Sequence, residues 1–180
     1  WIKKMEQNNK YDILVVDDEP LIRESLYEIL RIDGFRAHMA ASAEDALSFM
    51  KSQKVDIVLT DMKLPRMSGL ELLSNIKEEF PEIEVILITG YGTIETAVEA
   101  MKKGAYDYIT KPINDSEVKI ILSKIVEKKE ILAENKNLRE IIAQNSRTSF
   151  GNMMGSSEKM QKVYQIIDSV ASSNATILIS

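Results

Sequence analysis

The chain has no cysteine. Disulfides, thiolate metal sites and cysteine nucleophiles are therefore excluded. His38 is the only histidine, so any metal bound here must rely on oxygen donors. No apolar run approaches the ~20 residues that a membrane-spanning helix needs. No secretory signal opens the chain, so a soluble, cytoplasmic protein with no membrane partner is expected. Basic residues do not dominate either: 23 Lys and Arg stand against 28 Asp and Glu, a net charge of −5. No Lys/Arg patch stands clear of interspersed acids, which argues against nucleic-acid binding by this segment. Glycine and proline are scarce, at 7 and 4 residues, and act as punctuation between elements.

What is present is a repeated alternation of strand and helix. A hydrophobic content of 44% over 180 residues suffices for one domain and a remainder. Residues 1–10 form a polar, unpatterned tail; Met5 is the expected natural start, with Trp1-Ile2-Lys3-Lys4 as an added leader. Ile13-Leu14-Val15-Val16 is the first buried strand, ended by Asp17-Asp18-Glu19. Pro20 opens a helix whose apolar residues, Leu21, Ile22, Leu26, Ile29 and Leu30, recur at helical spacing. Asp33-Gly34 stops it. Arg36 to Ala40 is a weaker strand, and Ser42 caps a helix running to about Lys51. Val55 to Thr60 is a short β-branched run, read as a central strand that ends on Asp61. Lys63-Leu64-Pro65 breaks the sheet, and a helix follows from Gly69 to about Glu79. Val85 to Thr89 is the fourth strand, Thr93 to Lys103 the fourth helix, closed by Gly104, and Tyr106 to Ile109 the fifth strand. Short βα repeats of this kind predict a doubly wound parallel sheet with helices on both faces, in strand order 2-1-3-4-5.

That order brings chemistry together. Asp17, Asp18, Asp61, Thr89 and Lys111 all lie at or just past the carboxyl ends of strands, where open α/β sheets build their sites. Three carboxylates a few ångströms apart need a compensating cation. Lys111 is one. A hard divalent ion, Mg²⁺ above others, fits the all-oxygen donors. A hydroxyl and an ammonium facing a carboxylate suit a tetrahedral oxyanion, so the set describes phosphoryl transfer to Asp61.

These residues, in this order, resemble the receiver domains of two-component response regulators, over 11–127. The likeness rests on the Asp17-Asp18 pair, Asp61 within Thr-Asp-Met-Lys-Leu-Pro, Gly69, Thr89-Gly90 and Lys111-Pro112. It implies a flavodoxin-like fold in which Asp61 is the phosphoacceptor. Asp18 and Asp61 would bind Mg²⁺ directly, Asp17 mainly through water, and the Lys63 backbone carbonyl would add a ligand. Thr89 and Lys111 would hold the phosphoryl oxygens, Tyr108 would be the switch aromatic, and the Lys111-Pro112 bond would be cis. Such a domain is not an enzyme in the ordinary sense; it assists its own phosphorylation and dephosphorylation. A flavodoxin-like small-molecule binder would share the sheet without needing this constellation. A metal-dependent phosphatase calls for a general acid near its nucleophile, such as an Asp two residues along, and Lys63 stands there.

Beyond the fifth strand the pattern changes. Ser116 to about Gln144 has no glycine or proline and predicts one long helix, rooted in the domain by Val118, Ile121, Leu122 and Ile125. Its later part, 128–147, is a charged linker with a narrow apolar seam. Placing Ile131 and Leu138 at d puts Asn135 and Ile142 at a, a dimer-specifying coiled-coil pattern. The competing reading is a solvated spacer. Residues 148–180, with Gly155-Ser156-Ser157-Glu158-Lys159-Met160 and an Ala175-to-Ile179 strand, resemble the opening of the AAA+ domain of sigma-54-dependent activators. No Walker lysine is present. The two likenesses together imply the receiver and linker of such an activator, its AAA+ portion ending short of the ATPase site; the alternative is a receiver domain with a different output. Its partners would be a cognate histidine kinase and a second copy, met through the linker and the receiver face of the fourth helix, fifth strand and fifth helix. In the parent protein, sigma-54 RNA polymerase and DNA would follow through other domains.

Overall fold

The apolar runs become the strands of one parallel sheet in a computed structural model describing residues 8–90, 92–146, 149–150, 153–155 and 157–171. Its elements are β1 (Asp12–Val16), α1 (Pro20–Ile32), β2 (Arg36–Ala40), α2 (Ala43–Ser52), β3 (Ile57–Asp61), α3 (Gly69–Glu79), β4 (Glu84–Thr89), α4 (Ile94–Lys102) and β5 (Asp107–Thr110). The sheet order is β2-β1-β3-β4-β5, as the alternation predicts. Every pairing in it is parallel.

Helices cover both faces because successive strand residues alternate sides. Leu14, Val16, Val58 and Leu87 face Ala46, Met50, Leu72, Leu73, Ile76 and Ala100 of α2, α3 and α4. Ile13, Val15, Leu59 and Ile88 face Leu26 and Leu30 of α1, with Val118, Leu122 and Ile125 of a fifth helix. Burial of each Val, Leu, Ile or Met side chain among them contributes about 1.5–3 kcal/mol. Caps fix where the helices begin. Ser42 Oγ accepts the Asp45 N–H, and Ser68 with Glu71 forms a reciprocal capping box at α3.

The β3 boundary differs from the sequence expectation. The run Val55 to Thr60 predicts a strand from Val55 that ends on Asp61; β3 does end on Asp61 but begins two residues later, at Ile57. Asp56, just before it, donates its N–H to Asp12 O at 2.8 Å while its carboxylate accepts the Asp12 N–H at 3.1 Å. At the other end the ladder to β4 continues: Asp61 pairs with Ile88, and the Met62 N–H donates to Ile88 O at 2.8 Å. The nucleophile candidate therefore sits on the strand, and not on a loose loop.

The fifth helix, α5, spans Asp115–Ser146. The chain divides within it into two compact units, 1–127 and 128–180. In the second unit, a two-stranded antiparallel hairpin, β6 (Ser149–Phe150) and β7 (Met153–Met154), precedes α6 (Glu158–Ala171). The sequence suggests only a polar break across 145–149, since two-residue strands leave no periodic signal. The strand expected over Ala175 to Ile179 lies outside the described residues.

Candidate functional site

Four strand ends converge on one carboxylate cluster. β1 and β3 run side by side with Val16 opposite Thr60, so the turn after β1 arrives beside Asp61. Oxygens of Asp17, Asp18 and Asp61 lie within 4.8 Å of one another. Asp17 and Asp61 are buried, at 1% and 6% exposure, whereas Asp18 is open to solvent. Glu19 and Pro20 close the turn, and the Glu19 N–H donates to Asp17 Oδ1 at 2.8 Å.

Lys111 reaches this cluster from the end of β5. Its Nζ lies 3.2 Å from Asp17 Oδ2, 3.5 Å from Asp61 Oδ1 and 3.8 Å from Glu19 Oε1. The main chain braces it, with the Lys111 N–H donating to Thr89 O at 2.7 Å. The Lys111-Pro112 peptide is cis, as the resemblance implies. Thr89 ends β4, buried at 1% exposure, one residue past the Ile88 that pairs with Asp61. Lys63 lies exposed in the β3–α3 loop, two residues beyond Asp61.

The charges are strained against one another. Burial pushes the Asp61 carboxyl above its ordinary range, and the neighbouring Asp17 charge adds to this; Lys111 pulls the other way without cancelling it. Burial alone would lower the Lys111 ammonium, but Asp17, Asp61 and Glu19 outweigh burial and raise it. One lysine therefore leaves the acids undercompensated. A set of carboxylates with no soft donor, short of positive charge, fits a hard divalent cation.

Two further positions shape the site. A Cβ on Gly69 would run into the Asp61 carbonyl and Met62 Cα, so α3 can start against the strand end only with glycine there. Tyr108 lies on β5, three residues before Lys111, packed against the face that holds α2, α3 and α4. Its hydroxyl is buried and, among the described residues, has no hydrogen-bond partner. A Cβ on Gly92 would collide with that hydroxyl. The sequence expectation passed over Glu19 as a mere strand terminator. Its position next to the acid pair was the available signal for its approach to Lys111.

A parallel sheet that gathers an acid pair, a strand-end aspartate, a hydroxyl and a lysine at one edge defines a signal-receiving α/β domain. Residues 13–123 match the response regulator receiver domain, and the chain belongs to that family. It is 37% identical over 171 residues to the nitrogen assimilation regulatory protein NtrX of Azorhizobium caulinodans, covering 94% of this chain and 36% of that protein. It is likewise 37% identical to the transcriptional regulatory protein ZraR of Salmonella typhimurium over 170 residues, 94% of this chain and 37% of ZraR. A solved structure of NtrX from Brucella abortus, in complex with ATP, superposes with a TM-score of 0.66 at 34% identity, covering 91% of this chain and 35% of that one. The chain thus spans little more than a third of the curated relatives it matches.

The small-molecule-binder alternative has no need of this constellation. No described helix is long and apolar enough to cross a membrane.

Proposed function

We propose that Asp61 accepts a phosphoryl group from the phosphohistidine of a cognate histidine kinase. The observation that carries this is the buried Asp61 carboxylate, held 3.5 Å from Lys111 and within 4.8 Å of the acid pair. An Asp61 oxygen attacks phosphorus, the P–N bond breaks, and the histidine leaves with its electron pair. Bound Mg²⁺ would neutralise the acids and the incoming phosphoryl charge. Asp18 and Asp61 would hold it directly, Asp17 mainly through water, and the Lys63 carbonyl would complete the protein ligands. Lys111 and Thr89 would bind phosphoryl oxygens. Return of the group to water would be assisted by the same residues.

Thr89 and Tyr108 would transmit the change. Drawing Thr89 toward the phosphoryl group would alter the wall beside Tyr108, whose buried hydroxyl has no hydrogen-bond partner among the described residues.

Output would pass along α5. Residues 128–147 would be a linker pairing with a second copy through Ile131, Asn135, Leu138 and Ile142, helped by the receiver face of α4, β5 and α5. Ile131 and Leu138 support this by standing 57% and 52% exposed on the helix. Ile142 falls on the same helix, its side chain outside the described part. Residues 148–180 would open an AAA+ domain, and the parent protein would act on sigma-54 RNA polymerase and DNA, all in the cytoplasm. The relatives' names, a nitrogen regulator and a transcriptional regulator, favour that output.

Treatment with a small phosphodonor and Mg²⁺ tests the core of the reading. Acid-labile, hydroxylamine-sensitive phosphate should appear on the wild-type chain and be absent from Asp61→Asn and Asp18→Ala. Full labelling of Asp61→Asn would overturn the assignment.

A further inference from the structure

Asp18 is the acid whose placement the local contacts leave unexplained. Its carboxylate is exposed and, among the described residues, makes no hydrogen bond or ion pair. Yet it lies within 4.8 Å of Asp17 and Asp61, against the repulsion of both. Its position must come from the backbone of the turn. That backbone is tied at Asp17: the N–H donates to Ala40 O at 3.3 Å, Oδ1 accepts from the Glu19 N–H at 2.8 Å, and Oδ2 meets Lys111 at 3.2 Å.

The remaining polar atom, the Asp17 carbonyl, belongs to the peptide plane that joins the two acids. Arg23 holds it. The Arg23 N–H continues the helix to Glu19 O at 3.1 Å, and its Nη1 donates to Asp17 O at 2.5 Å. Helical side chains lean toward the amino terminus, so a residue on the second turn of α1 reaches back over the turn it follows. Among the described residues Arg23 makes no ion pair, and this charge-assisted bond is its side chain's one polar contact. A peptide plane is rigid, so fixing its carbonyl fixes the rotation that aims the Asp18 side chain.

We infer that Arg23 is a positioning residue for the divalent cation. It touches neither the ion nor the phosphoryl group; it sets the Asp17-Asp18 peptide so that Asp18 presents its carboxylate beside Asp61. The inference rests on the reading of the acid cluster as a Mg²⁺ site. Partners that orient metal ligands from behind are worth roughly 10- to 100-fold in affinity.

Calorimetric titration of Mg²⁺ into the unphosphorylated chain tests it, alongside melting in chelator. Arg23→Met should weaken Mg²⁺ binding by on the order of 10-fold or more. Arg23→Lys, which keeps a charged donor for the carbonyl, should restore most of the loss. Melting of the two variants in chelator should differ little, because the lesion appears only when the metal is demanded. Should Arg23→Met fail to fold, Arg23→Gln takes its place with the same expectation. Wild-type affinity in the neutral variant, with only its melting lowered, assigns Arg23 a purely structural role and overturns the inference. A wild-type chain that takes up no Mg²⁺ overturns the metal reading and this inference with it.

Discussion

At the residue scale the site is a balance of like charges in a half-buried place. Asp61 is disfavoured as an anion, so its sign in the pH dependence is definite. A carboxyl raised in the fold contributes most at a pH below its ordinary value of 3.8, and that contribution is lost as pH rises through the folded value. In chelator at neutral pH, Asp61→Asn should therefore melt above wild type, and the gap should close as pH falls through the carboxylate range. Thermal melts across pH 3 to 7 would show this; a gap unchanged across the series counts against a raised Asp61. Adding Mg²⁺ should stabilise wild type by about 2.7 kcal/mol at a hundred times its dissociation constant. Asp61→Asn should gain markedly less.

Thr89 tests the coupling at the same scale. Moving a two-state domain from ~1% to ~99% active needs about 5.5 kcal/mol of differential binding. Two charge-assisted contacts, at roughly 1.5–3 kcal/mol each, supply most of it if Thr89 and Lys111 meet the phosphoryl group only in the active state. Thr89→Ala should still take phosphate from a small donor while the Tyr108 resonances stay at their unphosphorylated positions. A wild-type response from that variant places the coupling elsewhere.

At the scale of elements, the junction of β3 with α3 decides how Asp61 is presented. The Gly69 N–H donates to Met62 O at 2.9 Å, and the space over the Asp61 carbonyl admits no Cβ. Gly69→Ala must push helix and strand apart. It should cost on the order of 1–3 kcal/mol in urea denaturation and slow phosphorylation of Asp61 as well. Ser68→Ala, one residue earlier, removes the cap alone. It should cost about 1 kcal/mol with labelling preserved. The pair separates loss of stability from loss of presentation: equal labelling defects in both would refute a special role for Gly69.

At the scale of the whole molecule the question is how a receiver geometry reaches another chain. Ile131, Leu132 and Leu138 are all more than half exposed on α5, so the linker carries apolar surface with nothing described over it. Replacing Ile131 and Leu138 with Asp would set like charges across a paired seam. Sedimentation should then give a monomer that still accepts phosphate, whereas Asn135→Ile should tighten association and loosen its register. A double-Asp variant as associated as wild type makes the linker a spacer.

The sequence by itself determined most of the receiver. Strand and helix periods are local properties of side-chain spacing, so Ile13–Val16, Pro20 to Leu30 and Val85–Thr89 were legible without partners. The right-handed rule for parallel crossovers then placed Asp17, Asp18, Asp61, Thr89 and Lys111 along one edge. What only the tertiary structure decided depends on distances between residues far apart in the chain. Pairing with both neighbouring strands begins at Ile57, opposite Ile13 and Glu84, so β3 starts two residues later than the apolar run suggests. Glu19 proved to face Lys111, and Arg23 to hold the Asp17 carbonyl, because the fold brings β5 to the β1 turn and α1 leans back upon it. A carboxylate's partner is chosen by where strands end in space, and spacing along one strand carries no record of the other.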